Sequence, residues 1–126
     1  MAYVADAHAW IFYLLEKLPA NANKAFEAVE SGDDVMFIPT IVLAECLYVI
    51  ESGKISLSVE DLFSKLRISN NFIPVSLNLD VVEELPKIKI GEMHDRIIVA
   101  TARLLNSKVI TKDSEIKNSG IIETVW

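Results

Sequence analysis

Four acidic residues stand where an acid is costly. Asp6 closes the apolar run Ala2 to Ala5, and Glu45 lies inside Ile41-Val42-Leu43-Ala44-Glu45-Cys46-Leu47-Tyr48-Val49-Ile50. Asp95 directly precedes Arg96-Ile97-Ile98-Val99-Ala100, and Asp113 follows Val109-Ile110-Thr111. A carboxylate in such surroundings is penalised by lost hydration unless a cation meets it. The basic residues offer no evident interior partner for all four, whereas one bound divalent cation would serve them together. An all-oxygen donor set without cysteine matches a hard ion, Mg²⁺ or Mn²⁺, of the kind used where phosphate is the other ligand.

Each acid also has a plain structural reading. Asp6 could cap the following helix, Glu45 could pair with a lysine, Asp95 could complement a helix start, and Asp113 could cap a turn. Glu115 is a rival ligand two residues beyond Asp113. His8 and His94 adjoin acids and are read either as structural or as site residues. Cys46 reads as a small buried hydrophobe. Trp10, Phe12 and Tyr13 lie at a spacing that favours core or a dimer face over base stacking. Arg96, Lys112 and Lys54 are candidate phosphate contacts, with Arg96 foremost.

The elements that must position these groups follow from apolar periodicity and breakers. Strands are expected at 2–5, 35–38, 72–75, 108–111 and 121–125. Helices are expected at 7–18 (stopped by Pro19), 23–30, 41–51 with Thr40 as N-cap, and 59–67 capped by Ser58. Further helices are expected at 77–85, with Ser76 as cap and Pro86 as stop, and at 92–106. A turn or short helix is expected at 113–118. Pro74 confines the third strand to a sheet edge. Strands alternating with helices indicate a parallel sheet covered on both faces, in which ligands gather at the carboxyl ends of the strands. Asp6 and Asp113 follow strands, and Glu45 and Asp95 lie near helix starts, so all four can reach that end.

The length of 126 residues fits one domain, residues 1–126. Hydrophobic residues make up 52% of the chain, which excludes a disordered polypeptide. Twelve basic against eighteen acidic residues give a net charge of −6, which argues against attachment to nucleic acid or membrane by bulk positive charge. It leaves room for a nucleic-acid enzyme whose metal supplies charge locally. One cysteine and no zinc-type spacing indicate a reducing, cytoplasmic setting. No signal peptide and no membrane-spanning run is expected. The four glycines are scattered, so there is no phosphate-cradling loop. A receiver domain would need paired acids after the first strand and an Asp after the third, where this chain has Asp6 alone and Val75-Ser76. A haloacid-dehalogenase phosphatase would need DxD, where the chain has Asp6-Ala7-His8.

Val4-Ala5-Asp6-Ala7-His8-Ala9-Trp10, Leu43-Ala44-Glu45, His94-Asp95-Arg96-Ile97-Ile98-Val99-Ala100-Thr101-Ala102 and Val109-Ile110-Thr111-Lys112-Asp113 occur in order along the chain. In these segments the sequence resembles a PIN-domain nuclease of the VapC toxin type, and the ending Ile121-Ile122-Glu123-Thr124-Val125-Trp126 resembles one VapC subgroup. The resemblance implies a three-layer α/β/α fold with strand order 3-2-1-4-5 and Mg²⁺- or Mn²⁺-dependent cleavage of RNA. It implies that Asp6, Glu45, Asp95 and Asp113 form the catalytic, metal-holding cluster. Thr111 matches a hydroxyl that orients such a cluster, and His8 occupies a position near the metal. Ala7 departs from the Thr often found there, at the expense of a secondary hydrogen bond. A homodimer and an inhibitory VapB-type antitoxin are the implied partners. The alternatives are a catalytically silent PIN-fold binding module and a housekeeping RNA-processing nuclease without an antitoxin. A DNA-acting flap-nuclease relative would carry large DNA-gripping insertions, which 126 residues do not accommodate.

Overall fold

In a computed structural model that describes residues 1–126, the alternating pattern becomes a five-stranded, wholly parallel sheet. The strands are β1 (Ala2–Ala5), β2 (Val35–Pro39), β3 (Phe72–Val75), β4 (Lys108–Ile110) and β5 (Thr124–Val125), in the order β3-β2-β1-β4-β5. The order 3-2-1-4-5 implied by the resemblance is therefore present. β1 is central, with Tyr3 in register with both Met36 and Lys108. Val4 and Ala5 are adjacent, point to opposite faces, and are both completely buried, as are Val109 and Ile110. Successive strand residues alternate faces, so both faces of the sheet are covered.

The helices are α1 (Ala7–Leu14), α2 (Ala20–Glu30), α3 (Thr40–Glu51), α4 (Val59–Leu66), α5 (Leu79–Glu84), α6 (Met93–Leu104) and α7 (Ser114–Ser119). The larger core gathers residues of α1 to α4 against β1 to β4 and takes Ile98 and Ala102 from α6. At its centre Trp10, Tyr13, Phe26 and Phe72 form one aromatic cluster. Trp10 and Tyr13 thus serve the core, in line with their spacing. A smaller core joins Val81, Ile88, Ile90, Ile97, Val99, Ala100 and Ile116. No helix is long and apolar enough to cross a membrane.

Several boundaries differ from the periodicity. α1 stops at Leu14 rather than Leu18, because Glu16 turns left-handed (φ 58°). The Lys17 N–H then bonds back to the Phe12 carbonyl and the Glu16 N–H to that of Tyr13, closing the last turn. α2 starts at Ala20, straight after Pro19, rather than at residue 23. Thr40 is the first residue of α3 and not its cap; Pro39 holds the cap position without a side-chain bond, because strand runs directly into helix. Asn78, not Ser76, caps α5, accepting from the Val81 N–H at 3.1 Å. Pro86 sits inside the 3₁₀ turn Leu85–Lys87 that follows. α6 is shorter at both ends than expected, and β5 keeps only two residues of the five. Ser58 caps α4 as expected, in a reciprocal box with Asp61. Pro74 lies on the edge strand.

Candidate metal centre

Asp6 is the residue between β1 and α1. Its Oδ1 accepts the Ala9 N–H at 2.8 Å, the first-turn bond of a helix cap. Its Oδ2 accepts the Thr111 hydroxyl across the sheet. Only 4% of Asp6 is exposed. Burial raises its pKa, and the bonds from Thr111 and Ala9 work against that rise. Beside it, the Asp113 N–H donates to Thr111 Oγ1 at 3.0 Å, while Asp113 Oδ1 caps α7 by accepting the Ile116 N–H at 2.9 Å. The capping readings of Asp6 and Asp113 are therefore real, and they coexist with a place in the cleft. Each carboxylate keeps lone pairs beyond those its cap uses.

Glu45 projects from α3 about one and a half turns after the helix begins. Its Oε1 is buried and has no hydrogen-bond partner. No basic residue pairs with it, so the lysine-pair reading is not realised. Burial raises its pKa, which the charge of His94 partly offsets. Asp95 lies in the first turn of α6, where burial and then the charges of Asp113, Glu92 and Asp6 push its pKa up to about 6. Cys46, next to Glu45, is buried and free, its thiol pushed up to about 12 by burial.

These elements converge. Asp6, Glu45, Asp95 and Asp113 line one cleft of about 240 Å³ together with His8, His94, Glu92, Ala7 and Ile98. Five carboxylates meet there and no lysine or arginine does. In the present side-chain positions no three donors close into a coordination shell. The donor set nevertheless fits a hard divalent cation, because its one orphaned buried oxygen and its uncompensated charges require what such an ion supplies.

Sequence reasoning missed Glu92. It caps α6 through Oε2, which accepts the Asp95 N–H at 2.8 Å, and its Oε1 lies 3.0 Å from His94 Nδ1. Burial raises the Glu92 pKa, but the bonds from the Asp95 and His94 backbones and the His94 ring outweigh this and leave it lowered. Glu115 is exposed on α7, outside the cleft, and reaches Asp95 only through its charge. Of the candidate cations, Arg96 does not line the cleft; its Nε donates to the Ile90 carbonyl at 2.9 Å. Lys54 is exposed in the turn after α3. Lys112 turns away from the cleft and lies 4.8 Å above the Phe12 ring.

A family model for the PIN domain matches residues 3–121. The chain belongs to the PIN-domain family. Solved structures with the same fold include VapBC2 from Rickettsia felis bound to a promoter DNA fragment, with a TM-score of 0.73 and 18% identity over 98% of this chain and 97% of that one. DNA-bound VapBC from Salmonella typhimurium gives 0.72 and 19%, over 98% and 96% of the two chains. Mycobacterium tuberculosis VapC20, a sarcin-ricin loop cleaving toxin, gives 0.68 and 13%, over 96% and 97%. At these identities the likeness establishes the fold. No curated protein matches the sequence. The PIN-domain match contains all five acids that line the cleft.

Proposed function

We propose that this PIN-domain chain is a divalent-metal-dependent endoribonuclease, the toxin of a VapBC-type pair. The observation that carries the reading is the meeting of Asp6, Glu45, Asp95 and Asp113, from four separate places in the chain, in one cleft without a lysine or arginine. Membership of the PIN-domain family and the VapC-type solved structures support it. The reaction is hydrolysis of an RNA phosphodiester. Water adds to phosphorus, the bond to the 3′ oxygen breaks, and the proton goes to that oxygen, leaving a 5′-phosphate and a 3′-hydroxyl.

Asp6, Glu45, Asp95 and Asp113 are the residues that would hold Mg²⁺ or Mn²⁺. When bound, such an ion supplies a water of lowered pKa and neutralises charge on the phosphate. The protein's own part is positional. The Ala9 N–H and the Thr111 hydroxyl fix the Asp6 carboxylate, and Thr111 links it to the backbone of Asp113. Glu45 brings an oxygen already stripped of water, and Ile98 makes the wall apolar. His94, held beside Glu92 at the exposed edge, is placed to meet the substrate as it enters. An RNA substrate, a VapB-type antitoxin and a second copy of the chain are the proposed partners. Exposed Tyr48 and Leu79 are large apolar side chains free for the protein contacts.

The test is cleavage of single-stranded RNA by purified protein with Mn²⁺, compared with the Asp6→Asn variant. The wild type is expected to cut and the variant to be silent while folded. Wild-type protein shown to hold Mn²⁺ and still leaving RNA intact would overturn the reading.

A further inference from the structure

Beyond the cleft, on the other side of Thr111, lies a pocket of about 430 Å³ lined by Asn21, Thr111, Lys112, Lys117, Thr124, Val125 and Trp126. Its volume falls within the ~300–1,000 Å³ of small-ligand sites. Its charge sets it apart. The chain carries eighteen acids against twelve bases, and four other clefts on its surface are each lined by at least one carboxylate. This one has two lysines and no acidic side chain. Neither Lys112 nor Lys117 forms an ion pair, and both are exposed. Two unpaired ammonium groups beside the neutral hydrogen-bonding side chains of Asn21 and Thr124 suit a phosphate diester.

The backbone explains the placement. Strand pairing continues one residue past β4, where the Thr111 N–H donates to the Val125 carbonyl, and Asp113 is again extended. Asp113 lines the acidic cleft, and Thr111, which lines the basic pocket, turns its hydroxyl inward to Asp6 and the Asp113 N–H. Lys112, between them, turns to the opposite side and rests over Phe12, 4.8 Å from its ring centroid. Phe12 in turn packs against Trp126, ring centroids 5.6 Å apart. One wall one residue thick thus has carboxylates on one side and a cation with an indole on the other.

Resting on the ribonuclease reading, we infer that the Lys112–Lys117 pocket is a second RNA subsite. It receives the phosphate and ribose of a nucleotide flanking the one aligned in the acidic cleft, with Trp126 as its apolar wall. The pocket supplies the attraction for a polyanion that the acidic cleft denies.

The experiment measures binding of a fluorescent single-stranded oligoribonucleotide in EDTA, for the wild type and for a Lys112→Gln/Lys117→Gln variant, across a salt series. The double variant is expected to bind on the order of tenfold more weakly, and the slope of log K against log salt to flatten by about 0.7 for each lysine. RNA is also expected to quench Trp126, the partly exposed one of two tryptophans, and Trp126→Phe to abolish that response. Unchanged affinity and slope in a variant that melts like the wild type overturns the inference. Capture of a decaglutamate peptide by the wild type, with RNA binding insensitive to the lysines, overturns it in favour of an acidic protein partner. If the lysines govern RNA binding but Mn²⁺-loaded wild type leaves RNA intact, the nuclease reading falls while the subsite stands. If RNA is cut and the double variant cuts it with unchanged KM, the subsite falls alone.

Discussion

The Thr111 hydroxyl bonds to the Asp6 carboxylate, joining residues 105 positions apart in the chain. The same oxygen accepts the Asp113 N–H, so one buried hydroxyl ties together the ends of two adjacent strands and two of the four acids.

Replacing Thr111 with Val removes the donor but keeps the shape. Asp6 Oδ2 and the Asp113 N–H then lose their partner, a cost of about 1–3 kcal/mol. RNA cleavage should fall by roughly 10–100-fold, the usual effect of losing a group that orients a metal ligand. Thr111→Ser should restore most of both. Chemical denaturation and cleavage rates on the three proteins check this, and a Val variant as active as the wild type would refute it.

Asp6 caps α1 and faces the cleft. Asn caps a helix about as well as Asp, so Asp6→Asn should fold normally. Mn²⁺ at a hundredfold excess over its dissociation constant should stabilise the wild type by ~2.7 kcal/mol, a rise in melting temperature on the order of 10 °C. The variant should show little or no rise. An equal rise in both would mean that the ion binds elsewhere.

Glu45 carries a buried oxygen without a partner. In EDTA, Glu45→Gln removes a charge that burial disfavours, so the melting temperature should rise by roughly a few degrees. RNA cleavage should be lost. A protein that becomes less stable on this change would show that Glu45 is already compensated in the metal-free state.

Asp95 has its pKa raised from 3.8 to about 6. Between those values the folded protein holds a proton that the unfolded chain has released. Its contribution to stability is therefore present at low pH and lost as pH rises through about 6. Urea denaturation in EDTA from pH 4 to 7.5 should show a steeper decline for the wild type than for Asp95→Asn. Identical profiles would contradict the crowding of charges around Asp95.

The sequence made the alternation of elements and the costly acids visible, because apolar runs and misplaced charges are local facts. It posed capping and metal holding as rivals for Asp6 and Asp113, whereas the side chains cap their helices and still line the cleft, since a cap occupies only part of a carboxylate. Glu92 was invisible because an exposed acid at a helix start looks ordinary until folding brings Glu45 and Asp6 opposite it. The end of α1 was missed because apolar spacing runs on to Leu18, and the left-handed turn at Glu16 has no glycine to announce it. The basic pocket was hidden because Asn21, Lys112, Lys117 and Trp126 share no stretch of chain.

The cleft draws its acids from positions spread between 6 and 113, and Thr111 and Asp113 are the last of the site to be added. A partly synthesised chain that stops short of residue 111 owns neither Asp113 nor the hydroxyl that steadies Asp6. Under the ribonuclease reading, a protein made on a messenger it could destroy is harmless to that template until Thr111 and Asp113 have been added and folded against Asp6.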